Sequence, residues 1–331
     1  LIGARTKEER QAVEDVLGDD DRRRQCLGPA PLVAERAPQE SHAPADQKQR
    51  EHDRTGKADI GVVAQTNILK INWPAYQRLL SAGLNVICHG AQAYYPFGTD
   101  PVTAADIDAL AKQRGVTFTG GGIWDMSRIG SGILTIGPCT DIKAIRHHSA
   151  TDVTGQTNSA AQARQVGTGM TAEEYNASGL RASPIASMYR TITEHVLTAS
   201  GFTIAEKREY IEPIFFDTPV TSALLGTTPA GICVGSRIVA ELRSHEGPTA
   251  HSSIELRLLR PGEVEYMAWE IDGLPRTRVR VERDDSAHAT ASNLFNRIPD
   301  VIAAPPGIVL VSQLGPMRHT VLAGAHGATT G

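Results

Sequence analysis

Hydrophobic residues in the first part of the chain occur either as short unbroken runs or at helical spacing. Three short runs, at 58–64, 84–89 and 116–119, predict buried strands because each has the length of a strand and ends at a turn. The segments between them, 73–82 and 100–115, predict helices. The order strand, helix, strand, helix, strand with short turns is typical of an α/β protein with a doubly wound parallel sheet.

The pattern changes after residue 139, where polar and apolar residues begin to alternate. Residues 142–147 alternate as a strand, and helical spacing follows at 184–200 and again at 285–304. Strands so close together along the chain predict a largely antiparallel sheet with one face in solvent, the arrangement of an α+β domain. Five further alternating runs support this prediction, at 202–216, 230–244, 249–259, 263–271 and 276–283.

The two patterns divide the chain into three segments. Residues 1–139 are interpreted as a Rossmann-type dinucleotide-binding domain, since the doubly wound sheet is a usual architecture for that ligand. Residues 140–290 are the predicted substrate and dimerisation domain, because alternation such as that of 253–258 leaves more apolar positions than one helical layer covers. Residues 291–331 are predicted to return to the first domain. We therefore expect a homodimer joined through the open face of the sheet.

The composition of the chain indicates which kinds of partner and which cellular compartment to expect. The 331 residues carry a net charge of -4, which gives no electrostatic reason to expect nucleic acid or an anionic membrane as a partner. No apolar stretch reaches the roughly 18 residues of a membrane-spanning helix, and no signal-peptide pattern opens the chain. The cysteines form no CxxC pair, which indicates reduced thiols and a cytoplasmic protein without a metal site.

Residues 18–57 differ from the rest of the chain. They contain the charged run 19–24, four prolines and few large apolar side chains. Such a segment cannot bury enough apolar surface to offset its chain entropy. We therefore predict that it is loop or disordered, and that it is the most mobile part of the chain.

A Rossmann-type domain holds the pyrophosphate of its cofactor on a glycine-rich loop after the first strand. Residues 167–172 fit the pattern GxGxxA, but the polar residues before them do not form the strand that the motif requires. The run Gly120 to Gly122 follows a strand, but it has no glycine at the position of the third glycine of the motif. We therefore expect residues 1–4 to be the second strand of a truncated domain whose glycine loop lies upstream.

The residues after that predicted strand bear on the choice of cofactor. The end of the second strand normally meets the adenosine ribose, where an acidic side chain favours NAD and a basic one favours the phosphate of NADP. Arg5, Thr6 and Lys7 occupy this position and favour NADP, with NAD as the alternative. A competing interpretation places Arg5 and Lys7 on a solvated loop.

Six short motifs point to one family: 66–67, 82–87, 95–96, 120–123, 167–174 and 296–308. Together they resemble the dihydrodipicolinate-reductase-like enzymes, and among these most closely 2,4-diaminopentanoate dehydrogenase and the native amine dehydrogenases. The resemblance covers residues 58–315. It implies hydride transfer between a nicotinamide cofactor and a carbon–nitrogen bond of a small carbonyl or amine substrate.

One departure from the family affects the chemistry. Amine dehydrogenases of this group carry a catalytic glutamate just before the Tyr-Pro pair, and the matching positions in this chain are Ala91 and Gln92. Neither of these side chains acts as a base. The resemblance therefore does not supply this chain with the usual group for activating ammonia.

Two histidines are candidates for proton transfer. His147 and His148 are predicted to close a strand before Asp152, and they resemble the His-His pair of dihydrodipicolinate reductases. Histidine suits protonation of a nitrogen near neutral pH, and adjacent strand residues face opposite ways, so only one ring reaches a given pocket. We assign His147 as catalytic. The alternatives are a strand-end pair with one ring packed, or a metal site that lacks a fourth ligand.

A second candidate group follows the glycine run, where ligands bind in this architecture beyond the carboxyl ends of the strands. Trp124 is suited to line an apolar substrate, Asp125 to hold an ammonium group or exchange a proton, and Arg128 to bind a carboxylate. We assign Asp125 as catalytic, and Trp124 and Arg128 as substrate-binding. The alternative is a helix start with Trp124 in the core.

The ends of the earlier strands supply the remaining candidates. A nucleophilic role for Cys88 is disfavoured because its neighbour His89 faces the opposite side of the strand. The predicted cofactor contacts are Thr66, Asn67, His89 and Gly90, and the predicted substrate contacts are Gln92 and Tyr94.

These observations favour an NAD(P)H-dependent imine reductase or amine dehydrogenase acting on a small carbonyl compound. A dehydrogenase of another carbonyl substrate is the second hypothesis. The third is a dinucleotide-binding homologue without catalysis, which the missing glutamate and the missing glycine loop favour. Binding of the cofactor and turnover with ammonia distinguish the three.

Overall fold

The fold is described by a computed structural model for residues 58–156 and 160–320. The β-strands are β1 (Ile60–Val63), β2 (Asn85–Cys88), β3 (Thr117–Gly120), β4 (Thr140–Asp152), β5 (Ile204–Phe215), β6 (Val220–Ser222), β7 (Gly226–Thr228), β8 (Cys233–Ser244), β9 (Thr249–Arg257), β10 (Glu265–Leu274), β11 (Thr277–Arg283) and β12 (Gly307–Ile308). The α-helices are α1 (Leu69–Ser81), α2 (Pro96–Thr99), α3 (Pro101–Arg114), α4 (Ser131–Ile136), α5 (Val153–Gln156), α6 (Ala160–Ala163), α7 (Ala172–Ala177), α8 (Ile185–Ala199) and α9 (Ser286–Ala303). Three sequence predictions lie outside the described residues: the cofactor contacts Arg5, Thr6 and Lys7, the strand at 1–4, and the mobile segment 18–57.

Contacts within the chain divide the described residues into two units. The first contains 58–122 and 290–320, and the second contains 123–156 and 160–289. The second unit begins at residue 123, before the boundary at 139 that the sequence predicted. The helical turns at 125–136 belong to it because they pack on strands β10 and β11. At the other end the division lies beside the predicted boundary at 290.

Parallel strands form the sheet of the first unit, in the order β1-β2-β3-β12. Helices α1 and α3 pack on one face, where Tyr76 and Ile107 meet Phe118. Helix α9 packs on the other face, where Leu294 meets Ile87. Helices on both faces of a parallel sheet confirm the predicted Rossmann-like architecture. Strand β12 was not predicted because its two residues are too short for a pattern.

Local contacts explain where the helices of this unit begin. Helix α1 starts at Leu69, before the predicted residue 73, because side chains outside the helix satisfy its first amide groups. Gln92 Oε1 accepts from Leu69 N at 2.9 Å, and Thr66 Oγ1 accepts from Ile68 N at 3.2 Å. Helix α3 follows the prediction closely, since Asp100 caps its first turn.

The second unit is built on a six-stranded sheet in the order β11-β10-β4-β9-β8-β5. Every neighbouring pair is antiparallel except β4 and β9, which are parallel. The chain leaves β4 and returns to β9 only after a long connection that includes helix α8, as a parallel pairing requires. The prediction of a largely antiparallel sheet in an α+β domain is therefore confirmed, with one parallel pair in it.

The expectation that His147 and His148 close a strand is wrong. Strand β4 has 13 residues and continues to Asp152, because both of its neighbours pair with it beyond the histidines. His147 therefore lies in the middle of the strand on the helix-covered face, and His148 lies on the open face. Among the described residues, no helix combines the length and the apolar character that crossing a membrane requires.

Candidate functional site

The loop after β1 in the first unit is fixed by its own polar side chains. Thr66 Oγ1 and Asn72 Oδ1 are 2.9 Å apart, and Asn72 Nδ2 donates to the Thr66 carbonyl at 2.8 Å. Asn67 Oδ1 accepts from Ala91 N at 3.1 Å. These bonds tie the end of β1 to the end of β2. Thr66 and Asn67 therefore shape the carboxyl edge of the sheet, where the sequence predicted cofactor contacts.

Glycines allow the strand ends to approach one another closely. A Cβ atom at Gly90 would lie 2.4 Å from the Thr66 carbonyl oxygen, and one at Gly120 would lie 2.5 Å from the carbonyl of Ala93. Both contacts are with backbone, which cannot move aside as the tip of a side chain does. No other residue fits these two positions without moving the loops of this edge.

His89 and Tyr94, both predicted site residues, are brought together at Gly122. A Cβ atom at position 122 would lie 2.9 Å from His89 Nδ1 and 2.9 Å from Tyr94 Oη. Within the part of the chain that the structure describes, His89 Nδ1 is buried and makes no hydrogen bond. Burial lowers the pKa of His89, while a hydrogen bond with the backbone of Gly121 opposes this shift. Neutral His89 is therefore the favoured form near pH 7.

Gln92 and Cys88 serve the structure around this edge. Gln92 uses its side-chain oxygen on the first turn of α1, so only its amide nitrogen is left for the predicted substrate contact. Cys88 Sγ lies 2.8 Å from Tyr76 Oη in the core, and burial raises the pKa of Cys88 to about 11. A thiol with so high a pKa is a poor nucleophile, which agrees with the sequence analysis, where that role was disfavoured.

The second unit holds Trp124, Asp125 and Arg128 at its start. Residues Asp125–Gly130 form a π-helical turn, and the side chains of Asp125 and Arg128 are both buried. Arg128 donates to Ser149 Oγ at 2.8 Å and to Thr151 Oγ1 at 3.4 Å, both on the inner face of β4. Its guanidinium group is thus directed along the sheet, so a carboxylate would have to compete with these hydroxyl groups.

Tyr189 is a residue of this region that the sequence did not single out. Its ring centroid lies 5.0 Å from that of Trp124, and the guanidinium carbon of Arg128 lies 5.8 Å from its centroid. Burial raises the pKa of Tyr189, and the positive charges of Arg128 and Arg283 oppose the shift. The spacing of Tyr189 on α8 marked it only as one more position on an amphipathic helix.

His147 is packed into the interior of the second unit. Its Nδ1 lies 3.0 Å from Ser252 Oγ, and its ring centroid lies 4.5 Å from that of Trp269. Burial, and next the charge of Arg128, hold the pKa of His147 well below its usual range. The ring is therefore neutral near pH 7 and fully inaccessible to solvent. These facts argue against His147 as a general acid, and its catalytic role stays a prediction.

The predicted site residues thus form two groups, one in each unit. No cluster of histidine, cysteine, aspartate and glutamate suited to a metal ion occurs among residues 58–156 and 160–320. Thr66, Asn67, His89, Gly90, Gln92 and Tyr94 lie at the carboxyl edge of the parallel sheet in the first unit. Trp124, Asp125, Arg128 and His147 lie in the second unit.

The fold and these residues define an α/β protein with a Rossmann-like unit and a mixed-sheet unit. No protein-family model matches the chain, and a comparison with curated proteins found no match. Among solved structures, an amine dehydrogenase from Mycobacterium smegmatis is 26% identical with a TM-score of 0.69, over 83% of this chain and 81% of that one. The chain therefore has an amine-dehydrogenase-like fold, as the sequence motifs indicated.

Two further structures are more distant. A probable dehydrogenase from Thermotoga maritima is 10% identical, with a TM-score of 0.47 over 81% of this chain and 77% of that one. An inositol dehydrogenase homolog from Azotobacter vinelandii, complexed with NADH and myo-inositol, is 14% identical, with a TM-score of 0.41 over 71% of this chain and 53% of that one. At these TM-scores neither structure bears on the function of this chain.

Proposed function

We propose that the protein is an NAD(P)H-dependent oxidoreductase that forms or oxidises a carbon–nitrogen bond of a small carbonyl or amine compound. The observation that carries the proposal is the similarity to the amine dehydrogenase from Mycobacterium smegmatis, which extends over both units. The glycine-lined carboxyl edge of the parallel sheet supports it, because ligands of doubly wound folds bind at that edge.

The residues at this edge fit a nicotinamide dinucleotide. Gly90 and Gly120 allow the loops of this edge to pack closely on one another, and His89 offers a buried nitrogen that lacks a partner among the described residues. We assign Thr66, Asn67, His89 and Gly90 as cofactor contacts. The cofactor supplies the hydride, and NADP is the preferred form in this proposal because of Arg5 and Lys7 in the sequence.

The remaining roles are assigned by chemistry. Asp125 is the carboxylate that balances positive charge on the substrate nitrogen and exchanges its proton. Trp124 lines the apolar part of the substrate, and Arg128 donates to its oxygen. Gln92 and Tyr94 are the substrate contacts that the sequence predicts in the first unit. These are expectations for mutagenesis, with Asp125 the most important of them.

The test is an absorbance assay of the full chain with NADPH or NADH, a panel of small ketones and aldehydes, and ammonium chloride. We expect cofactor oxidation that requires both the carbonyl compound and ammonium, faster with NADPH. Equal oxidation without ammonium would favour the second candidate, a carbonyl dehydrogenase, for which the absence of a carboxylate at Ala91 and Gln92 is the supporting observation. Cofactor binding without any oxidation would favour a homologue that lacks catalysis.

The open face of the second-unit sheet is the surface proposed for a homodimer. The apolar positions that motivated this prediction, such as Ile254 and Leu256, lie instead on the helix-covered face. The open face carries oppositely charged neighbours, such as Arg237 and Glu255 with an N–O distance of 2.8 Å. In a two-fold contact through this face, these charged pairs would meet the same pairs of the second copy. We expect sedimentation equilibrium to give a dimer at micromolar concentration that weakens with salt; a monomer would contradict the prediction.

A further inference from the structure

A cavity of about 440 Å³ lies on the open face of the second-unit sheet, and none of the candidate site residues lines it. Its floor is Ala150 of β4, which pairs with Tyr266 of β10 and with Glu255 of β9. The connection from β9 to β10 borders the cavity on one side, and β11 borders it on the other. Because the alanine side chain is so small, its larger neighbours enclose a space above it. The volume is typical of a small-molecule site.

The side of the cavity next to β9 is formed by a fixed charged pair. Arg257 is buried and donates to Glu263 Oε2 at 2.7 Å and to Glu255 Oε2 at 2.7 Å. The backbone amide of Arg260 donates to the same oxygen of Glu263 at 2.7 Å. Burial favours the neutral form of both members, but these hydrogen bonds outweigh it, so the pKa of Glu263 is lowered and that of Arg257 is raised. Both therefore keep their charges near pH 7.

The opposite side, on β10 and β11, carries polar groups that are held in place but not used up. Arg280 Nε donates to Glu282 Oε1 at 2.6 Å, and the guanidinium carbon lies 3.7 Å from the centroid of the Tyr266 ring. Within the described part of the chain, the terminal nitrogens of Arg280, the Tyr266 hydroxyl and Oε2 of Glu282 make no hydrogen bond. Donors and a carboxylate oxygen are thus available to a ligand side by side.

The charges of the lining indicate what kind of ligand fits. Two arginines and two glutamates line the cavity, so the lining is neutral as a whole. A ligand with only a negative charge would meet both glutamates, and one with only a positive charge would meet both arginines. A zwitterion avoids both penalties because each of its charges can face the opposite one. The rest of the lining includes the apolar side chains of Ala150 and Val264, the second of which is 44% exposed.

We propose that this cavity binds a free α-amino acid with an apolar side chain. Its carboxylate accepts from Arg280 and Tyr266, its ammonium group donates to Glu282 Oε2, and its side chain packs on Ala150 and Val264. The site is independent of the proposed function, because it requires neither the cofactor nor the reaction. It lies on the face for which a homodimer is proposed, so in a dimer the amino acid would lie within the contact or at its border.

Binding of L-leucine to the full chain tests the proposal. With ¹³C-methyl-labelled valine, the Val264 methyl resonances are followed by NMR during the titration and are assigned through Val264→Ile. We expect a saturable shift. Two analogues divide the charges of leucine: 4-methylpentanoate lacks the ammonium group, and 3-methylbutylamine lacks the carboxylate. Each should bind about 10–100-fold more weakly than leucine, since each loses hydrogen bonds with a charged group.

Variants of the two ligand-binding charges sharpen the test. Arg280→Gln and Glu282→Gln should each raise the Kd of leucine by about 10–100-fold. Arg280→Gln should leave the binding of 3-methylbutylamine intact, and Glu282→Gln that of 4-methylpentanoate. The matched controls are Arg278→Gln and Glu270→Gln, because these residues form an ion pair with an N–O distance of 3.8 Å on the same sheet face but do not line the cavity. Their Kd should equal that of the wild type.

The outcomes decide the proposal whether or not the protein oxidises a nicotinamide cofactor. A Val264 shift that Arg280→Gln weakens and Arg278→Gln preserves supports it. Unchanged Val264 resonances at millimolar leucine overturn it, and so does a Kd that is the same in Arg280→Gln, Glu282→Gln and the wild type. Equal weakening in the control variants also overturns it, because the effect would then come from the charge of the whole face.

Discussion

Replacing Trp269 by alanine should lower the free energy of unfolding of the second unit by about 3–5 kcal/mol. The side chain is fully buried on the helix-covered face of β10, and its Nε1 donates to the Arg128 carbonyl at 2.8 Å. It also packs on His147 and on the Cα of Gly132, where a Cβ would lie 2.8 Å from the indole ring. Truncation would remove all of these contacts and leave a cavity that the rigid sheet cannot close.

Chemical denaturation followed by circular dichroism measures this effect. Trp269→Phe should retain most of the packing but remove the indole donor from the Arg128 carbonyl, which still accepts from Ser131 Oγ at 3.2 Å, so the cost should be about 0.5–1.5 kcal/mol. Leu134→Ala is the matched control, because that side chain is 69% exposed in the same unit, and its effect should stay within about 0.5 kcal/mol. A loss below about 1 kcal/mol for Trp269→Ala would show that the core does not depend on this ring.

Most of the regular elements could be predicted because, in each of them, the spacing of hydrophobic residues and the residues at the ends indicate the same structure. Helix α3 is such a case: Asp100 caps its start and Gly115 ends it in the left-handed conformation, so both bounds are visible in the sequence. Strand β12 has no such signal, since its two residues become a strand only through pairing with β3. The parallel pairing of β4 with β9 is equally invisible, because it depends on the path of the chain between them.

The candidate site was harder to predict because side-chain partners decide each role. Thr66 and Gln92 were predicted as site residues because they follow strands, and the structure does place them after β1 and β2. Both, however, use their side-chain oxygens to accept hydrogen bonds at the start of helix α1. His147 was chosen for its resemblance to a catalytic pair, and only the structure places it under Trp269. Gly122 shows the reverse case: no role was predicted for it, yet a Cβ atom at this position would lie 2.9 Å from both His89 Nδ1 and Tyr94 Oη.

Asp125→Asn should lower turnover by about 10²–10⁴-fold while cofactor affinity changes little. Asp125 is 1% exposed and lies in the π-helical turn after the first unit. A carboxylate in such a poorly hydrated position stabilises a positively charged substrate nitrogen far more strongly than it would in water. Asparagine has nearly the same shape but no charge, so the loss should fall on the steps in which the nitrogen is cationic.

Steady-state kinetics with ammonium and a carbonyl compound, together with fluorescence titration of NADPH, provide the measurement. The matched control is Asp141→Asn, since the Asp141 side chain is 71% exposed and its variant should keep wild-type turnover. His147→Ala distinguishes the two acids that the sequence proposed. Because its imidazole is buried and neutral, we expect this change to act mainly through stability. Full turnover in both Asp125→Asn and His147→Ala would show that neither residue transfers the proton.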